Sequence, residues 1–291
     1  MTVNSIMARF KRFALRRPIL FGFSLLVIYI VVGILVYPVH FLFADDDVGQ
    51  LYGDSVSKAI VFFAFLLILW RFGWLQSSGI ARLGTMGNKW TWPIVGGLAI
   101  YKVLIEVYAF TDNLRVELPT SSINIAKAIY YFPASLVEET MIRGLILVAM
   151  TVAWGATKRG VVKGVVISSV MFGLFHLLNV LANPVDMVVL QVMVAVLTGI
   201  FYAALVLKFR SLWPAILLHW LTNAAVNIKI TDIENYQDTS SMWNTFALLL
   251  IPILVFSAYL VWSLPSQDSI RLTLVDGDSS EKQQEHLRAT A

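Results

Sequence analysis

The chain contains no cysteine. That excludes a thiol nucleophile, a thiolate metal site and any disulfide framework, and leaves the compartment open. Charge is scarce as well: 14% of the 291 residues are Asp, Glu, Lys or Arg, where soluble domains run at about a quarter. Histidine occurs only four times, and no His-Glu-x-x-His zinc helix is present. The polar stretches are too short for a soluble domain of ordinary size, and neither a domain boundary nor an internal repeat is visible. Apolar residues are what the chain has in abundance, at 58%, with a mean hydropathy of +0.75. The fold class implied is all-α, a polytopic membrane bundle.

Apolar runs of spanning length predict eight membrane helices, at about 18–40, 57–76, 92–110, 123–154, 162–182, 185–207, 213–229 and 243–264. The first run follows a basic lead and is longer than the apolar core of a cleavable signal, so it reads as a retained helix. The fourth is too long to cross upright at about 1.5 Å per residue; it must tilt, kink near Pro133 or extend out of the membrane. Residues 1–264 form the expected membrane domain, and 265–291 a polar, mobile tail.

Orientation follows from the basic residues of the short loops. Arg9, Lys11, Arg12, Arg16 and Arg17 lie in the lead, and Arg71, Arg82 and Lys89 in the loop 71–91. Lys158, Arg159 and Lys163 lie near 155–163, and Lys208 and Arg210 near 208–212. The alternate loops, such as "ADDDVGQLYGD" and "KITDIENYQD", are acidic or mixed. Both termini are therefore expected in the cytoplasm, with the plasma membrane as the location.

Ionisable groups inside membrane helices are expensive and mark function. They are few here: Glu138, Glu139 and Arg143 in the fourth run, His176 in the fifth, His219 in the seventh, and Lys102 with Glu106 in the third. Lys102 and Glu106, four apart, read as a salt bridge within one helix. His40 and His286 read as solvated. Glu139 and Arg143 are four apart and share a helix face, where they can pair. Glu138 points about 100° away, a carboxylate without that partner in a low-dielectric setting, as general bases are. His219, Asn223 and Asn227 make one polar stripe. The same groups would also suit a buried ion-pair clasp or the relay of a proton-coupled transporter.

Glu-Glu-x-x-x-Arg (Glu138, Glu139, Arg143), Phe-x-x-x-His (Phe172, His176) and His-x-x-x-Asn (His219, Asn223) fall in order on three helices. Together they resemble the three motifs of the CPBP family, the intramembrane peptidases related to type II CAAX prenyl endopeptidase and to bacteriocin-processing or immunity proteins. The resemblance covers residues 135–227. It implies an endopeptidase acting on a membrane-embedded or membrane-anchored protein or peptide. In it Glu138 would activate water with the help of His176, and Glu139 and Arg143 would hold the geometry. His219 and Asn223 would polarise the scissile carbonyl. No cofactor is required in that scheme; zinc on Glu138, His176 and His219 is the alternative. The family also includes immunity and scaffold proteins, so a catalytically silent member is a further alternative. His176 lies roughly 20 Å into its helix from the basic end, and His219 roughly 8 Å after Pro214. One shared site therefore needs helix seven to begin inside the membrane, or the helices to be offset.

Overall fold

The computed structural model describes residues 3–43, 45–82, 121–229 and 253–263, with isolated positions between 93 and 104. Every regular element among the described residues is helical. Four helices are long and apolar enough to cross a membrane: Pro18–Leu42, Asp47–Phe72, Lys158–Leu181 and Val185–Phe209. Among the described residues the chain is all-helical, with four candidate membrane spans. Most of the expected span 92–110, the pair Lys102 and Glu106, residues 243–252 of the last expected span, and the tail 265–291 lie outside the described residues.

The basic lead is itself a helix, α1 (Val3–Arg16). It buries Ala14 and sets Phe10 edge-on against Phe21 and Phe72, with ring centroids 5.3 and 5.7 Å away. Lys11 donates to the Phe72 carbonyl, and Arg71 donates to Asn4. These contacts fasten α1 across the ends of the next two long helices. Pro18 opens α2 (Pro18–Val36), where a missing N–H does no harm. A 3₁₀ turn, Tyr37–Leu42, follows.

Helix α3 (Asp47–Phe72) begins ten residues ahead of the predicted 57. The Asp46 carboxylate accepts from the Gly49 N–H at 2.7 Å, an N-cap that hydropathy cannot register. The helix stops at Gly73, whose φ of 68° is left-handed. A short α4 (Leu75–Ser78) follows.

The fourth predicted run is helical from Ser122 to Trp154, in three parts. These are α5 (Ser122–Glu139), a π-helical stretch Thr140–Leu147, and α6 (Val148–Trp154). Pro133 sits within the α-helical part, and the departure from α geometry comes about two turns after it, beside the charged residues. Every residue of the π stretch is buried. It runs through the middle of the bundle against α2, α3, α7 (Lys158–Phe175) and α8 (Val185–Phe209).

Helix α9 (Trp213–Lys229) starts below the surface. Ser211 and Leu212, which precede it, are fully buried. The Leu212 N–H donates to Gly79 O at 3.3 Å, Ser211 Oγ to Arg82 O at 2.6 Å, and Trp213 Nε1 to Ile80 O at 3.0 Å. Gly79 has φ +77°, and a Cβ there would stand 2.7 Å from Ser211 Cα. Only glycine allows the two turns to meet.

Candidate active site

Three helical segments converge on Arg143. Its guanidinium, fully buried, donates from Nη1 to Glu139 Oε1 at 2.8 Å. Its Nη2 donates to the Gly199 carbonyl of α8 at 3.3 Å. The cation also lies 4.5 Å from the Phe172 ring centroid and 5.5 Å from that of Tyr202, the geometry of cation–π attraction. A charge this deep is tolerable only when it is paired and hydrogen-bonded.

The carboxylate that neutralises Arg143 also orients a histidine. His219 Nδ1 lies 2.9 Å from the same Glu139 Oε1. An ionised carboxylate can only accept, so Nδ1 carries the proton and donates it. The other ring nitrogen, Nε2, faces Glu138 Oε2 at 3.7 Å. Helix α9 is held in this register by Trp220, whose Nε1 donates to Ala128 O of α5 at 2.8 Å. Tyr202 stacks on the His219 ring at 5.6 Å and 27°.

His176 stands where α7 tightens into a 3₁₀ turn, His176–Leu181. Its backbone N–H reaches back to Gly173 O. Its ring Nδ1 lies 2.9 Å from Phe172 O; a carbonyl only accepts, so this nitrogen is the donor. Neutral His176 is thereby left with its lone pair on Nε2. Phe172 explains its place in the sequence pattern. Its ring lies under Arg143 and meets both imidazoles edge-on, His176 at 4.8 Å and His219 at 5.7 Å.

The two glutamates part company as their helical positions predict. Glu139 is 0% exposed and bonded to Arg143, while Glu138 is 16% exposed and faces His219. Asn223 follows His219 by one turn on α9. Close helix packing keeps the parts together. A Cβ on Gly199 would stand 2.9 Å from Ser169 Cβ and 3.2 Å from Ser169 Cα, so α8 touches α7 there without intervening side chains.

Four buried polar atoms near this centre have no partner among the described residues: Ser135 Oγ, Glu139 Oε2, Thr140 Oγ1 and Arg143 Nε. Native interiors rarely leave such atoms unsatisfied, and water or a ligand's polar groups commonly fill the need. A metal fits less well. Among the described residues no three His, Asp or Glu side chains gather as a set able to hold an ion, and the expected trio of Glu138, His176 and His219 forms none.

Two contributors escaped sequence reading: Tyr202 and the Gly199 carbonyl, both on α8. Neither carries charge, and nothing in their spacing marks them.

Residues 121–225 match the family model for type II CAAX prenyl endopeptidase, Rce1-like. Over that segment the chain is similar to the Rce1-like family. That agrees with the CPBP resemblance, and the matched segment contains Glu138, Glu139, Arg143, His176, His219 and Asn223. Within the matched segment α5, the π stretch and α7 to α9 supply every charged group of the site. Neither the curated proteins nor the solved structures gave a match to the chain.

Proposed function

We propose that the protein is an intramembrane endopeptidase that cuts a membrane-embedded or membrane-anchored protein or peptide, with water activated by Glu138. The observation that carries this reading is the division of labour between adjacent carboxylates. Glu139 is consumed by Arg143 and His219, whereas Glu138 is partly exposed and unbonded to the arginine.

Amide hydrolysis needs a base for water, a donor for the developing oxyanion and an acid for the leaving amine. Glu138 takes the proton from water, and His176, with a lone pair on Nε2, is the second acceptor available to that water. His219 holds Nδ1–H against Glu139, so Nε2 donates to an oxyanion only when the ring is imidazolium. The Glu139 carboxylate stabilises that cation. Asn223, one turn on, is the neutral donor of the pair. The proton gained by Glu138 is then given to the amine as the C–N bond breaks.

The basic residues gather at one end of the bundle, where Lys11 meets Phe72 O, Lys158 meets Trp262 O and Lys208 meets Ser263 O. With the acidic turn at Asp46 and Asp47 at the other end, this supports an orientation with both termini cytoplasmic, and the membrane proposed is the plasma membrane.

Comparing membrane peptides from cells that carry the wild type with those from Glu138→Ala cells tests the activity. Fragments present only with the wild type identify substrates; identical peptide sets contradict the proposal. Metal analysis of purified active protein decides between a free water and a zinc-bound one. About one zinc per chain, with activity lost to chelation and restored by zinc alone, would make Glu138 and His176 ligands.

A further inference from the structure

The pocket that reaches Arg143 from the face of the basic loops is lined by three arginines, Arg82, Arg143 and Arg210. Among the described residues no Asp or Glu lines it. Arg143 is neutralised by Glu139, but its Nε is buried and has no partner among the described residues. Arg82 donates from Nε to the Gln76 amide oxygen at 3.0 Å, and its two terminal nitrogens are left over. No hydrogen bond or ion pair reaches the Arg210 guanidinium from the described residues.

Backbone contacts bring the two outer arginines together. Ser211 Oγ donates to Arg82 O at 2.6 Å, and the Leu212 N–H donates to Gly79 O at 3.3 Å, so the turns 79–82 and 210–212 abut. None of these bonds offsets a charge. Two half-buried guanidinium groups are thus gathered at one mouth without a counter-charge, and their repulsion is relieved by an anion.

The backbone of Arg210 is a second sign. Among the described residues the chain enters the left-handed region at Gly73, Gly79 and Arg210, and only Arg210 is not glycine. With φ at 52° it ends α8, a cap position where glycine is usual because a Cβ costs energy there. Strain of this kind gathers at ligand clamps and switches.

We propose that Arg82 and Arg210 form the mouth of a phosphate-binding site on the face of the basic loops, behind the Arg143–Glu139 pair. The guanidinium fork matches two oxygens of a phosphate, which an ammonium cannot do. The pocket measures about 30 Å³, room for roughly two waters between such a phosphate and Arg143. It is too small for a peptide or an acyl chain, so the group bound is the phosphate itself, free or at the head of a lipid. A phosphate there faces the cation that holds Glu139, and its occupancy tightens the buried cluster. The site stands whether or not Glu138 activates water.

Thermal unfolding of the full chain in a maltoside detergent, which carries no phosphate, tests the site. Inorganic phosphate is titrated against chloride of equal ionic strength, since salt alone screens exposed charges. Dioctanoyl phosphatidic acid is titrated against dioctanoylglycerol, which has the same chains and no phosphate. One or both phosphates should raise the melting temperature above the matched control. A larger effect of phosphatidic acid at the same concentration assigns the lipid headgroup; an effect no larger assigns free phosphate. Arg210→Gly removes the guanidinium and relieves the backbone. Without phosphate it should melt at or above the wild-type temperature. The phosphate concentration that gives half the shift should rise about tenfold or more, the worth of a lost charge-assisted bond. Arg82→Gln should weaken phosphate in the same way, and it carries the test should Arg210→Gly not accumulate. No shift from either phosphate beyond its control, or a shift that both variants retain in full, would overturn the site.

Discussion

Two clusters of charge sit among the spanning helices, and they are built on opposite terms. In the Glu139–Arg143–His219 cluster the first two side chains are wholly buried, and one carboxylate oxygen serves both partners. In the His40–Asp54 and Lys58–Tyr29 cluster the contacts are pairwise and Asp54 is half-exposed. Burial decides the consequence. A sealed ion pair fixes geometry and leaves a stranded charge if broken, whereas an open one is screened and worth about 0–1 kcal/mol. Glu138 stands between the two, near enough to the sealed cluster to be positioned and open enough to meet water.

Breaking the sealed cluster should have the largest effect on stability. Arg143→Ala strands Glu139 beside a half-satisfied His219, a defect of about 3–5 kcal/mol. A lowered melting temperature or poor accumulation is expected, and a fully stable Arg143→Ala protein would contradict the pairing. Gly199→Ala attacks the same cluster from behind. It forces α8 away from the Ser169 backbone and moves the carbonyl that Arg143 uses, an overpacking of about 1–3 kcal/mol. Thermal unfolding in detergent measures it; no change would mean that the α7–α8 contact is looser than 3.2 Å. Asp54→Asn, in the open cluster, should shift stability by less than about 1 kcal/mol. A loss as large as that of Arg143→Ala would erase the distinction between the clusters.

Much of this was legible in the sequence. The pairing of Glu139 with Arg143 and the separate facing of Glu138 follow from helical spacing alone, and the histidines stand out because imidazole is rare in an apolar helix. The π stretch at Thr140–Leu147 was not legible, since it depends on a shifted backbone register that no residue type announces. The early start of α3 was hidden because Asp47, Asp54 and Lys58 depress hydropathy although the segment is helical. The buried turn at Ser211 and Leu212 reads as a basic loop from Lys208 and Arg210. Only its bonds to Gly79, Ile80 and Arg82 show it sunk. The sharing of Glu139 between Arg143 and His219 joins residues eighty positions apart, beyond any local pattern.

The central claim is that Glu138 supplies the base while Glu139 supplies the scaffold. Glu138→Gln tests it most directly, because the amide keeps the size and much of the hydrogen bonding and loses only the basic oxygen. In purified protein, with a substrate found by the peptide comparison, the expected outcome is an unchanged melting temperature. Turnover should fall by about 10²-fold or more, the scale of general-base catalysis. Full turnover by Glu138→Gln would contradict the account.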